Sequence, residues 1–563
     1  MFPASQSQPD LETKSEVRMV VNDVDDARLQ DRTTAQGSAK GLRFWMIFVA
    51  ICVSMFMSAL EFSAISTALP TIVHDLHGED FVWVASAYAL ASTALLPASG
   101  AMAEVFGRRS TMLLALLLFA LGSALCGAAQ NMTWLIAART VQGAGGGGIL
   151  ALGSIILSDL VSLKERGLYN GVIGLTWAFA GGLGPLIGGA LAKEGQWRWL
   201  FYLNLPISGL AAGLVIVFLK LKTPRGSFTD KVSRMDWGGN IIIIASSVAC
   251  VIGLTWGGVK FEWTSAQVLA PLVLGLVGMC GFLVYEATVA KEPVVPYTLL
   301  SNRTSLSGFI QTFLNPVVAV SFIYFLPTYY QACKGASPVK GGVEFFGVCM
   351  PLGPTLLVVG GSIQATKRYR IQLWLGWVLI MLAAGTLSTV GAETPLARVI
   401  GLSVLEGVGM GILYASTYFP VLAPLPVSEN AHALALFSFC RSFALIWGVT
   451  IGTAVLQTQL KKRLPTEFIT MFPEGVSIAY SSIPVINSLE EPLRTQVREA
   501  FAQSIAVIWK VNIGIAGLGF LSSLAMKGLP LHTEVDENWG LEDNGSGSTG
   551  TADPSSELPV MKK

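Results

Sequence analysis

Fourteen apolar runs, each long enough to cross a lipid bilayer, constrain this chain more than any other feature. They fall near residues 44–69, 81–103, 111–129, 134–157, 170–191, 200–219, 237–258, 267–287, 306–326, 342–363, 371–391, 398–420, 433–457 and 505–527. About 20 residues of helix cross the hydrocarbon, and backbone groups in lipid must be satisfied within their own segment. Helices are therefore the expected form. Charged residues make up 13% of the 563, and the apolar set 52%, whereas an ordinary soluble domain carries about 25% charge. The tails concentrate what charge there is, with 13 such residues in 1–43 and 9 in 528–563. A soluble enzyme, a disordered chain and a collagen-like chain are all excluded. A net charge of +1 gives no global field for nucleic acid. The runs near 237–258 and 267–287 are the weakest of the set as full spans.

Seven cysteines (Cys52, Cys126, Cys250, Cys280, Cys333, Cys349 and Cys440) form no CxxC pair and read as small buried apolar residues. The polar, acidic start MFPASQSQPDLETKSE is no cleavable signal, so the first run stays as a span. An even number of spans puts both tails on one side. The early loops on that side carry Arg108, Arg109, Lys164 and Arg166, while loops 70–80 and 130–133 carry no Lys or Arg. The excess of positive charge assigns the tails to the cytosol. The loop 458–504 then lies outside and reads as amphipathic or solvated helix. The N-tail and the Gly/Ser-rich C-tail read as disordered. Glycosylation sequons at Asn131, Asn302 and Asn544 read as unused, and His74 with His77 is too little for a metal site.

An internal repeat organises the runs. Residues 142–150, QGAGGGGIL, match 406–413, EGVGMGIL, and 100–109, GAMAEVFGRR, match 361–370, GSIQATKRYR. The two offsets agree within three residues. They imply two six-helix halves, 44–219 and 306–527, with a loop and two inserted helices at 220–305, between tails 1–43 and 528–563. Duplicated halves around a central site are a transporter design.

Several motifs together resemble the major facilitator superfamily, in particular its fungal fourteen-helix drug:proton antiporters. GAMAEVFGRRS is similar to the family's signature between helices 2 and 3, through Gly100, Gly107, Arg108 and Arg109, with Glu104 at the acidic position and Val105 in place of an Arg. RTVQGAGGGG resembles the helix 4 signature, through Arg139, Gln142, Gly143, Gly145 and Gly147. AGGLGPLIGG resembles the antiporter signature of helix 5, through Gly184, Pro185, Gly188 and Gly189. WRWLFYLNLP and FLPTYYQACKGASP are also typical of fourteen-helix members. The resemblance implies the superfamily fold, a loop that latches the cytosolic ends of the halves, and export rather than uptake. The glycine run lacks the Lys-Ser/Thr of a phosphate-binding loop, and no such loop occurs elsewhere, which excludes ATP-driven pumping by this chain.

Ionisable residues deep in apolar runs are the sharpest clues to a site, because a charge in lipid is costly and faces a cavity or a partner. Glu61, Arg139, Glu406 and Arg441 are four such residues. At ~1.5 Å per residue, Glu61 and Glu406 lie about 12 Å from the outer ends and Arg139 about 8 Å, so all three are expected to meet in one cavity. They are the proton-coupling candidates. Gln142, Trp177, Tyr324, Tyr414, Tyr418, Arg441 and Trp447 are the candidates to line a substrate cavity, where apolar walls with few polar groups suit amphipathic molecules. The expectation is a proton-coupled exporter of small organic compounds, with no enzymatic activity, cofactor or metal. Its membrane is the plasma membrane. A vacuolar transporter of basic amino acids is the alternative, and a non-transporting membrane sensor is the third reading.

Overall fold

A computed structural model describes residues 40–76, 82–221, 227–233, 235–258, 260–471 and 483–531. The expectations for both tails, for His77 and Asn544 and for the middle of loop 458–504 fall outside the described residues. The chain divides into two units, Met1–Val49 and Ala50–Lys563. In the first, the Lys40 ammonium lies 4.8 Å from the Phe44 ring. All contacts below belong to the second.

Among the described residues, thirteen helices are long and apolar enough to span, and a pair bent by 45° makes a fourteenth when the two count as one span. They are α1 (Leu42–Leu76), the bent pair α2 (Val82–Ala94) and α3 (Leu96–Phe106), α4 (Arg108–Gly127), α5 (Met132–Leu160), α6 (Leu163–Lys193) and α7 (Asn204–Phe218, led by the short turn Arg198–Tyr202). The inserted pair is α8 (Trp237–Trp256) and α9 (Ala266–Thr288). Then follow α10 (Arg303–Lys334), α11 (Phe346–Thr366), α12 (Arg370–Leu387), α13 (Leu396–Ser416), α14 (Asn430–Arg463) and α15 (Leu493–Leu524). The bend between α2 and α3 has a covalent cause: Pro97 lies in the first turn of α3 and has no N–H to continue the ladder. The inserted runs form complete helices, α8 and α9, so the two weakest expectations hold.

Several helices extend beyond their apolar runs, two of them through charged ends. Helix α14 continues through Lys461, Lys462 and Arg463 and stops before Pro465, and α15 starts at Leu493, before its apolar run. Charge ends a membrane run but not a helix, so hydropathy underestimates both. Two of the sequons serve as caps: Asn131 accepts from Trp134 N at 2.8 Å and Asn302 from Thr304 N at 2.8 Å. Cys280 and Cys349 are exposed, in contrast to the expected burial, while Cys126, Cys250 and Cys333 are buried.

Helices α2 to α5 and α7 pack on one another in the first half, and α10 to α15 in the second. The halves meet through α6 against α11 and through α14 against α3 and α5. Their closest approach is at one end of the bundle. A Cβ on Gly167 would stand 3.1 Å from Gly360 Cα, and one on Gly171 would stand 2.9 Å from Leu357 Cδ2. Further along the same pair the helices part, and Gly181, Gly182 and Gly189 have no neighbour within 4 Å. Met350 on the facing helix is 68% exposed. The bundle is closed at the end bearing Arg108 and Arg166, and α6 and α11 part toward the other.

Inside the first half, Gly145 lets α5 lie directly on α4, where a side chain would meet Phe119 N and the Ala115 carbonyl. Both obstacles are backbone and cannot rotate away. Gly145→Leu is therefore expected to destabilise the protein by about 2–3 kcal/mol or to prevent folding. Gly517→Leu, at a position with open space around it, is expected to leave stability unchanged. Thermal unfolding of the purified protein in detergent compares the two.

Candidate functional site

The glutamate of α1 and the arginine of α5 meet as a closed pair. Arg139 Nη1 donates to Glu61 Oε1 at 2.7 Å, and each side chain is 1% exposed. Asn204 Nδ2 on α7 donates to Glu61 Oε2 at 2.6 Å, so both carboxylate oxygens are satisfied. Arg139 Nε donates to the Val84 carbonyl at 2.9 Å, next to the bend-containing span. Its guanidinium lies 4.4 Å from the centre of the Tyr88 ring, and Tyr88 Oη is 3.1 Å from Ser58 Oγ. Gln142 accepts from Arg139 and donates to Ser123 Oγ at 2.8 Å. Four spans thus converge on one charge pair. The low dielectric strengthens the pair, and losing one partner would leave an isolated charge.

Glu406 does not join this network. It is fully buried on α13, and neither carboxyl oxygen has a hydrogen-bond partner among the described residues. Equal depth had suggested a shared cavity for all three charged residues. Depth fixes height along a helix but leaves rotation about its axis open. The repeat explains the asymmetry: Glu406 aligns with Gln142, and the residue three before it, in the place of Arg139, is Ser403. The second half therefore has the carboxyl without the arginine.

The other candidates scatter. Gln142 is buried within the first half as part of the ion-pair network. Tyr418 sits at the closed end, where Arg166 Nη1 donates to its hydroxyl at 3.4 Å. Trp177 packs against the cluster of Ala59, Leu60 and Ala180. Tyr324 is 44% exposed. Arg441 stacks on Tyr414, 3.9 Å from the ring centre, with Phe437 at 5.8 Å. It makes no ion pair with a carboxylate among the described residues. Trp447 stands edge-on to Phe443 at 6.3 Å, and its indole N–H is buried without a hydrogen-bond partner among the described residues.

The loop motif makes its contacts at the closed end. Arg108 Nε donates to Asp159 Oδ2 at 2.9 Å, and Arg109 Nη2 donates to the Ile216 carbonyl at 2.7 Å. Glu104 crosses to the second half and meets His432 Nε2 at 2.6 Å. A Cβ on Gly100 would stand 2.5 Å from Ala435 Cβ and 3.3 Å from the Ala431 carbonyl oxygen, so α3 and α14 touch directly there. Sequence reasoning missed Asn204, Tyr88 and His432. Asn204 had a visible signal, an amide inside the apolar stretch WRWLFYLNLP. His432 had only its position at the start of a span.

The sequence profile of the Major Facilitator Superfamily matches residues 51–449. The chain is 39% identical over 515 residues to the efflux pump FUS6 of Gibberella fujikuroi, covering 90% of this chain and 93% of that protein. It is 39% identical to the MFS-type efflux pump LUC4 of a Fusarium species (90% and 91% covered) and 35% identical to the MFS-type efflux pump MMF1 of Pseudozyma antarctica (90% and 95% covered). Among solved structures, the human organic anion transporter MFSD10 superposes with a TM-score of 0.55 at 13% identity, covering 85% of this chain and 100% of that one. The proton:xylose symporter XylE superposes with a TM-score of 0.54 at 12% identity, covering 87% and 97%. Both structural likenesses concern the fold.

The pairing of Glu61 with Arg139 makes a direct prediction. Glu61→Ala or Arg139→Ala alone is expected to cost about 3–5 kcal/mol, because each leaves the other charge buried and unpaired. The double change to Ala at both positions is expected to cost less than the sum of the single changes. Folded yield and melting temperature of the four proteins form the double-mutant cycle that checks it.

Proposed function

The chain belongs to the major facilitator superfamily, a transporter rather than an enzyme, and from that premise we propose that it exports small organic molecules in exchange for protons by alternating access. The observation that carries this reading is Glu406. An unpaired ionised carboxylate buried in a membrane span costs several kcal/mol, whereas the neutral acid costs far less. Glu406 thus holds a proton while it is enclosed and releases it when the bundle rearranges and water or a cation reaches it. Glu61, bonded at both oxygens, and Arg139, bonded through Nε and Nη1, hold the first half in shape around that exchange.

Sidedness follows from the positive loops. The closed end carries Arg108, Arg109, Lys164, Arg166, Lys367, Arg368 and Arg370, which places it in the cytosol. In this reading the open end faces outward, the state from which an exporter releases its cargo and takes up an external proton. The named activities of the curated relatives support the same direction, and export from the cell calls for the plasma membrane. Arg441 on Tyr414, with Phe437 and Trp447 nearby, offers a cation over aromatic surface. That combination favours an aromatic or amphipathic compound bearing a carboxylate, an enolate or a strongly polarised carbonyl.

Comparing the medium of cells with and without the gene identifies the exported compound. In membrane vesicles, Glu406→Gln is expected to abolish accumulation of that compound driven by a pH gradient, by at least about tenfold, while exchange of labelled for unlabelled compound persists. Undiminished pH-driven accumulation in Glu406→Gln, at equal protein level, would remove Glu406 from the coupling step.

A further inference from the structure

A histidine stands between the two halves at the closed end. His432, in the first turn of α14, faces Glu104 Oε2 with Nε2 at 2.6 Å. Its Nδ1 faces the Val294 carbonyl oxygen at 3.0 Å. Both ring nitrogens therefore point at oxygen acceptors. A neutral imidazole has one N–H and satisfies one of them, whereas the imidazolium satisfies both. The histidine side chain is 15% exposed and Glu104 27%, so water at this end reaches the pair.

The segment that Nδ1 touches is held by the inserted helices. Val294 and Val295 are 2% and 3% exposed in the link between α9 and α10. Val295 N donates to Glu286 Oε2 on α9 at 3.2 Å. The other oxygen of Glu286, and Oδ2 of Asp236 at the start of α8, have no hydrogen-bond partner among the described residues. Both converge on the space that a Cβ of Gly239 would fill. Asp236 Oδ1 accepts from the Tyr285 hydroxyl at 3.0 Å and from Gly239 N at 2.9 Å. Glu429, three residues before His432, adds a further negative charge to its surroundings. Asp230, on the short helix Phe228–Ser233 that touches α3, is engaged with Ser227. Arg234 lies outside the described residues. The inserted pair thus forms the backing for a histidine that bridges the two transport halves.

We propose that His432 is a proton-operated brake on the cytosolic gate: its protonation locks the gate closed and its deprotonation releases it. The sign follows from the geometry. With the proton, an imidazolium–carboxylate pair joins α14 to α3 across the interface. Without it, the ring keeps one hydrogen bond, loses its charge, and the attraction between the halves falls. The physiological sense rests on the export reading above. A transporter that admits protons acidifies the cytosol, and an acid-closed inner gate stops it from admitting more. The inserted helices then have a task in regulation, by fixing the carbonyl that orients the ring.

Hydrogen–deuterium exchange on the full-length protein in lipid nanodiscs tests this without a substrate. Rates are compared at about pH 6 and about pH 8 after correction for the intrinsic chemistry. Peptides covering α3 and the start of α6 are expected to exchange roughly tenfold faster at the higher pH. His432→Gln removes the titrating group and is expected to abolish that response. His432→Lys keeps a cation and is expected to stay protected at both pH values, which separates loss of the switch from loss of fold. Glu286→Gln keeps an acceptor for Val295 N and is expected to keep the response. A pH response surviving in His432→Gln, lost in Glu286→Gln, or absent from the native protein overturns the proposal. Failure of proton-coupled export with the exchange response intact would overturn the export reading alone.

Discussion

A carboxylate inside a membrane bundle must be paired, neutralised or reached by water, and the two deep glutamates of this chain meet that demand in opposite ways. Glu61 is bound on both oxygens, by Arg139 at 2.7 Å and Asn204 at 2.6 Å. Glu406 is buried with neither oxygen satisfied among the described residues. In the repeat Glu406 stands at the place of Gln142, with Ser403 where the first half has Arg139, so the first half holds a charge pair and the second a carboxyl with no hydrogen-bond partner among the described residues.

The asymmetry divides the work between the halves. Four spans gather around Glu61 and Arg139, and the direct backbone contact of α4 with α5 at Gly145 leaves that half little room to move. On the alternating-access reading proposed above, such a half moves as a rigid body, and what changes is the contacts between halves, which concentrate at one end: Gly167 on Gly360, Arg166 on Tyr418, and Glu104 on His432. They are small or polar contacts that can form and break as units. A large interlocked apolar surface across the interface would have opposed rocking.

Much of the fold was legible because lipid leaves few choices. The fourteen spans, the duplicated halves and the inserted pair followed from apolar length and two short repeated motifs. The Glu61–Arg139 pairing was legible from depth along two helices. Rotation was not, and for that reason Glu406 was expected in the same cavity and Gln142 in the substrate path, whereas Gln142 bonds Ser123 inside the first half. Tyr418 was expected along the substrate cavity, and the structure sets its ring at the closed end, where Arg166 donates to it. The Glu104–His432 contact joins residues of different halves, and neither residue alone signals a partner so distant in sequence. The carboxyls of Asp236 and Glu286 were equally silent, since each lies at a helix end where charge is ordinary.

The central claim is that cargo and protons move in opposite directions through one protein. Purified transporter in liposomes carrying an internal pH dye gives the most direct measurement. The cargo is the compound missing from the medium of cells that lack the gene. Added outside with no pH gradient imposed, it should enter as protons leave, and the interior should become alkaline at a rate that rises with cargo concentration. Cargo entering protein-containing liposomes with no change in internal pH would contradict the account.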